Sequence, residues 1–213
     1  MKLSPFLCIL GFGLVFASAA DAGPNANGVI VLHWNESVVY TDGTDFCGES
    51  GLESCNDAVT TTSASSTVVL HALAAFPTEN APRLAGLCFG VQYDELQIRV
   101  TDWGACGDFE LHENNWPGSN QGVCITWSEA QTGHLTEICW FAAYSVYGDA
   151  SELALRGHPQ GGGLFADDAV PSNIDPIADY GRLGFFQDGY LPCPNPPTPV
   201  EPSSWGRTKA VFR

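Results

Sequence analysis

The sequence predicts an all-β fold, an antiparallel β-sandwich or jelly roll with long loops and one or two short helical turns. Three observations carry this. Short runs rich in β-branched and aromatic residues recur along the chain. Between them lie stretches of turn chemistry, TDGTD, PTENAP, NNWPGSNQG, AQTGH, VYGDA and HPQGGG. No stretch sustains the 3.6-residue apolar period of an amphipathic helix, and short strands at this spacing are those of a sandwich.

Residues 29–34 (VIVLHW) and 37–41 (SVVYT) read as the first strands, and residues 67–76 (TVVLHALAAF) follow a threonine and serine run. Further strands are expected at 84–93, 96–103, 122–127, 135–144 and 151–156. Helical turns are expected within 49–58, at 129–131, and at 174–180, where Pro176 would sit in the first turn. Residues 161–171, GGGLFADDAVP, read as an irregular excursion before YGRLGFF returns to the core.

The ends differ in composition from this body. Residues 1–20 have a cationic start at Lys2, an apolar run and small residues before a cleavage point after Ala19 or Ala20, or as late as Ala22: a secretory signal. The apolar run is about half the ~20 residues that a membrane-spanning helix needs. Residues 27–192 form the expected β domain. Residues 193–204 follow as a proline-rich spacer that favours extended polyproline II, and residues 205–213 close the chain as a basic and aromatic tag.

The chain carries 24 acidic and eight basic residues, a net charge of −16. Between residues 21 and 200 the only cations are Arg83, Arg99, Arg156 and Arg182. Such a body is repelled by phosphate backbones and anionic lipid, which argues against nucleic-acid and membrane-surface partners. Solubility accounts for the charge. Seven cysteines follow the signal, Cys47, Cys55, Cys88, Cys106, Cys124, Cys139 and Cys193. In an exported protein they read as at most three disulfides and one thiol left over. Cys47 and Cys55 bracket a short loop and are the preferred local pair; the other pairings stay open. No CxxC or His/Cys spacing suits zinc.

Candidate chemistry is sparse. Hydrolysis of a glycosidic bond needs two carboxyls flanking it, and GDFELHENNW holds Asp108, Glu110 and Glu113 beside His112. On a strand Asp108 and Glu110 would share a face, roughly 7 Å apart. A solvated strand face explains the same pattern and is the preferred account. Calcium would find oxygen ligands in Asp42, Asp45 and Glu49, or in Asp167, Asp168, Asp175 and Asp179, although neither set matches the twelve-residue calcium loop. His33 and His71 sit inside apolar strands, where a hydrogen-bonded structural role is expected. Trp116, in a turn with Asn114, Asn115 and Asn120, offers the stacking and amide chemistry of a glycan platform, with burial under its own loop as the competing expectation. Asn35-Glu36-Ser37 matches an N-glycosylation acceptor, relevant only in a eukaryotic host.

The ending Trp205-Gly206-Arg207-Thr208-Lys209-Ala210-Val211-Phe212-Arg213 resembles the WG-basic-x-K-x-x-aromatic-R terminus of a group of secreted bacterial β-domain proteins. NGVIVLHWNESVVYT, WGACGDFELHENNWP and QTGHLTEICWFAAY resemble the same group. The resemblance implies bacterial export and sorting machinery that reads residues 205–213. It assigns no activity and no site residue. The sequence therefore points to a secreted or cell-surface non-enzymatic module that binds a ligand, glycan among the candidates, or contributes to a surface structure. The alternative is an extracellular polysaccharide hydrolase using Asp108, Glu110 or Glu113.

Overall fold

The computed structural model describes residues 22–194, so the expected signal, the tag and most of the spacer lie outside the described residues. Twelve strands are present among them: β1 (Val29–Trp34), β2 (Thr61–Thr62), β3 (Val68–Ala75), β4 (Leu84–Gln92), β5 (Ile98–Ala105) and β6 (Phe109–His112), then β7 (Gly122–Gln131), β8 (Leu135–Ser145), β9 (Ser151–Arg156), β10 (Leu164–Ala166), β11 (Ile174–Pro176) and β12 (Arg182–Phe185). Among the described residues, helix is limited to one 3₁₀ turn at Cys55–Asp57.

The strands form two sheets packed as a sandwich. Sheet A has the order β1-β3-β8-β5, antiparallel throughout. Sheet B is built on β4, which pairs with β7 on one edge while β10 and β9 share its other edge in succession. From there β6 adds to β7, β11 to β10, β12 to β9, and β2 to β12 in the one parallel pairing. Because side chains alternate across a strand, every second residue faces the other sheet. Leu32, Leu70, Ile98 and Phe141 from sheet A meet Leu87, Phe89, Ile125, Phe165, Leu183 and Phe185 from sheet B, all nearly or completely inaccessible. Each such side chain gains about 1.5–3 kcal/mol on burial, which offsets the entropy of ordering the chain.

The sandwich is anchored a little beyond both expected ends. The buried Asp175 carboxylate accepts the amides of Gly23 and Asn25 at 2.9 and 3.0 Å, and Cys193 is disulfide-bonded to Cys55. Asp175 also explains a correction. Residues 174–180 contain strand β11 instead of a helix, because the strand turns Asp175 inward to those two donors, and helical dihedrals would break its pairing with β10. Residues 129–131 likewise continue β7. Residues 37–41 pair with no strand: Val38 and Tyr40 pack over Phe46 and Trp140 while Val39 is 78% exposed.

The expected Cys47–Cys55 bond is also corrected. The disulfides are Cys47–Cys106, Cys55–Cys193 and Cys88–Cys124, with Cys139 free in the core. The reason lies in the path of residues 35–60, which form a strap laid across the outer face of sheet A. Phe46 and Cys47 cover Val69, Trp140 and Ala142, whereas Leu52 and Cys55 cover Val29, Val31, Leu73 and Ala75. The two cysteines therefore sit over opposite parts of the sheet, and each bonds to a different neighbour of the strap.

Candidate functional site

The two outer faces of the sandwich differ. On sheet A, the outward residues Val29, Val31, Val69, Leu73 and Ala75 are no more than 4% exposed beneath the strap. On sheet B, register places the inward Leu87 opposite Ile125 and Phe165, and Phe89 opposite Val123, so their neighbours face out. One outward row runs Leu111, Cys124, Cys88, Leu164, Pro176 across β6, β7, β4, β10 and β11. The next runs Phe109, Thr126, Gly86, Ala166, Ile174. Phe109, Leu111 and Ile174 are 63%, 67% and 56% exposed, and the Cys88–Cys124 disulfide joins β4 and β7 between them. Nothing among the described residues covers this face.

A wall and a polar half border these rows. The loop after β9 brings the His158 ring over Gly122, so close that a side chain at Gly122 would overlap it. Gln160 in the same loop donates to Glu113 at 2.7 Å. Toward β9 and β12 the face becomes polar, with a 520 Å³ hollow lined by Gln92, Asp94, Gln97, Asn120, Glu152 and Arg182. Arg182 is 3.5 Å from Glu152 and lies over the Tyr190 ring, and Arg156 donates to Asn120 and Gln92. Arg83 is paired with Asp168. The face thus combines an apolar centre with a polar margin whose cations are already engaged.

The residues singled out in the sequence are distributed as follows. Trp116 is 6% exposed and sits edge-on between Phe89 of sheet B and Phe141 of sheet A, with Trp103 beside it. It is part of the core and offers no stacking surface. Asn114 and Asn115 stay exposed in its loop, and Asn120 lines the polar hollow. Asp108 accepts from the Ser128 hydroxyl and amide, and these bonds hold its carboxyl below the usual carboxylate range. A general acid needs the opposite shift. Glu110 is in register with Ile125, whereas Glu113 lies on the other side of the strand and accepts from Gly122 at 2.7 Å.

The acidic turns have local uses. Asp45 accepts from the Cys47 amide and the Trp140 indole, both at 3.1 Å. Burial pushes the Asp167 carboxyl up, and bonds from Asn173, Ala169 and Ser172 more than reverse it. Asp179 accepts from Tyr190 and Tyr180. Among the described residues no three His, Cys, Asp or Glu side chains gather as a metal-binding group, Asp42, Asp45 and Glu49 included.

A polar cluster lies beneath the strap. β8 carries a bulge: Ala72 opposes Cys139 but Leu73 opposes Glu137, leaving Ile138 unopposed. The shift turns Glu137 from the core side to the outer side, where it meets His71. His71 Nδ1 is 2.7 Å from Glu137 Oε1, and Glu137 Oε2 accepts the strap amide of Ser50 at 3.3 Å. His33 opposes His71 on β1, and its Nδ1 accepts the strap amide of Val59 at 2.9 Å. His71 Nε2 is buried without a partner. The structural role expected for both histidines is thus carried by hydrogen bonds.

No protein-family profile matches the sequence, and no curated protein matches it. Several solved β-sandwich structures are similar at low identity. One is a cohesin module of a family 33 glycoside hydrolase from Clostridium perfringens, with 7% identity and a TM-score of 0.47 over 74% of this chain and 93% of that one. Another is a non-cellulosomal cohesin from Archaeoglobus fulgidus, with 13% identity and a TM-score of 0.44 over 75% of this chain and 91% of that one. A third comes from a type I cohesin–dockerin complex of Clostridium thermocellum, with 10% identity and a TM-score of 0.45 over 73% and 96%. Superpositions this partial leave the functional question to the residues of this chain.

Proposed function

We propose that the protein is an extracellular non-enzymatic module that binds a partner protein through the outer face of sheet B. The observation that carries this reading is the contrast between the two faces: the strap covers β1, β3 and β8 of sheet A, while Phe109, Leu111 and Ile174 stand exposed on sheet B on either side of the Cys88–Cys124 disulfide. An exposed apolar patch with a polar margin has the anatomy of a protein interface. The partner's chemistry follows from charge. Arg83, Arg156 and Arg182 are engaged within the chain, and the net charge is strongly negative. The complementary surface is apolar at its centre and carries Lys or Arg at its rim.

The test uses a labelled protein to capture partners from the culture fluid and envelope of the producing cell. Leu111→Glu is expected to weaken capture about tenfold or more, as replacing a large exposed apolar contact of an interface by a charge does. Val39→Glu, on the strap, is expected to leave it unchanged, and added salt to weaken it. Equal capture by Leu111→Glu would remove this reading. Binding on a glycan array that Asn120→Ala or Arg182→Ala abolishes and Leu111→Glu does not would replace it with a saccharide site in the polar hollow.

A further inference from the structure

We propose that the strap over sheet A is opened by acid, with His33 as the trigger. Val59 donates its amide to His33 Nδ1, and Trp34 donates its own amide to the Val59 carbonyl at 2.9 Å. Those two bonds tie the late part of the strap to the end of β1. An imidazole nitrogen that accepts a hydrogen bond must carry no proton, so the neutral ring is the one that holds Val59. Protonation turns Nδ1 into a donor facing another donor. The Val59 amide then loses its partner in a site where His33 is 6% exposed.

The surroundings set where this happens. Facing His33 are His71 on β3 and, through His71, Glu137 on β8. From the strap side, Glu36, Glu53 and Asp57 line a 370 Å³ cavity beside it. Burial is the main influence and His71 the second, both acting against the charged ring; the strap's Ser50 and Val59 backbone groups and Glu137 act the other way, and the net His33 pKa in the closed state lies below 6.5. The sign follows directly. The closed state prefers neutral His33, so the stabilisation is complete above pH 6.5. It is lost as pH falls through the lowered value.

The strap cannot leave altogether, because Cys47 and Cys55 tie it to Cys106 and Cys193. What opens is the chain between and just after these anchors, residues 48–60. Its release exposes more of the apolar outer residues Val29, Val31, Leu73 and Ala75, from which Leu52 lifts while Leu135 and Leu191 stay in place. Mild acid would thereby add a second apolar surface on the side opposite the sheet B face.

Amide hydrogen exchange on the intact chain, corrected for the intrinsic pH dependence of exchange, tests this. Between pH 7.5 and 5, protection at Val59 and over residues 48–60 is expected to fall about tenfold for each pKa unit by which closure depresses His33. Sheet B should be unaffected. His33→Asn places an amide oxygen near the Nδ1 position and cannot titrate, so its strap should stay equally protected at both pH values. An NMR titration of the His33 ring in the unaltered protein should give a midpoint below 6.5, at the pH where the loss of protection levels off. Strap protection independent of pH, a ring midpoint at or above 6.5, or the same loss in a folded His33→Asn protein would each overturn the proposal.

Discussion

Replacing Trp116 by alanine is expected to destabilise the protein by about 3–5 kcal/mol, the range for removing a large aromatic from a packed interior. For a domain of this size that lowers Tm by about 10 °C. The indole stands where the two sheets meet on the β5–β6 side, touching Phe89, Phe141 and Trp103 with edge-to-face contacts of 5.7–5.8 Å between ring centres. Its removal leaves a cavity lined by residues of both sheets, which strands in paired register cannot close by moving together. The Trp116 ring N–H is buried without a partner, and this makes Trp116→Phe informative. That change leaves a smaller gap but removes an unsatisfied donor, itself worth about 1–3 kcal/mol, so the net effect should be close to zero. Chemical denaturation of both variants checks the pair. A Trp116→Ala protein of unchanged stability would mean that the ring is not a core residue.

Trp116 shows which part of the fold was legible in the sequence. Its turn, NNWPGSNQG, was recognisable from local chemistry, but whether the ring pointed outward or inward depended on Phe89 and Phe141, distant in sequence and in different sheets. β1 and β9 were legible to the residue because VIVLHW and SELALR carry their own β-branched or alternating pattern. SVVYT carries a similar pattern and forms no strand, since its apolar residues are satisfied by packing on the outside of sheet A. The exposed apolar residues of the proposed interaction face were present in FELH as well. The alternation that puts Glu110 and His112 on one side puts Phe109 and Leu111 on the other, and the acidic residues drew attention first. The His33, His71 and Glu137 cluster was not legible, because it needs both the strand pairing and the one-residue bulge in β8.

Removal of Cys55–Cys193 by paired alanine substitution should cost the most of the three disulfides. A cross-link stabilises largely by limiting the unfolded chain, and its effect grows slowly with the length it closes. The separations are 138, 59 and 36 residues for Cys55–Cys193, Cys47–Cys106 and Cys88–Cys124. The loop-closure relation gives about 5, 4.3 and 3.8 kcal/mol in that order. Cys88–Cys124 joins strands β4 and β7 that are already hydrogen-bonded neighbours, so the folded state barely notices its loss. Cys55–Cys193 instead joins the strap to the end of the described chain, and Leu52 and Leu191 cover the same apolar patch beside it. Its loss should therefore also loosen the native strap, raising exchange over residues 48–60 at neutral pH and shrinking the further increase on acidification. Denaturation midpoints ranked in the reverse order would show that native packing around each bond outweighs loop closure. Unchanged strap exchange in the Cys55→Ala, Cys193→Ala protein would show that the hydrogen bonds from Val59 and Ser50 hold the strap without the anchor.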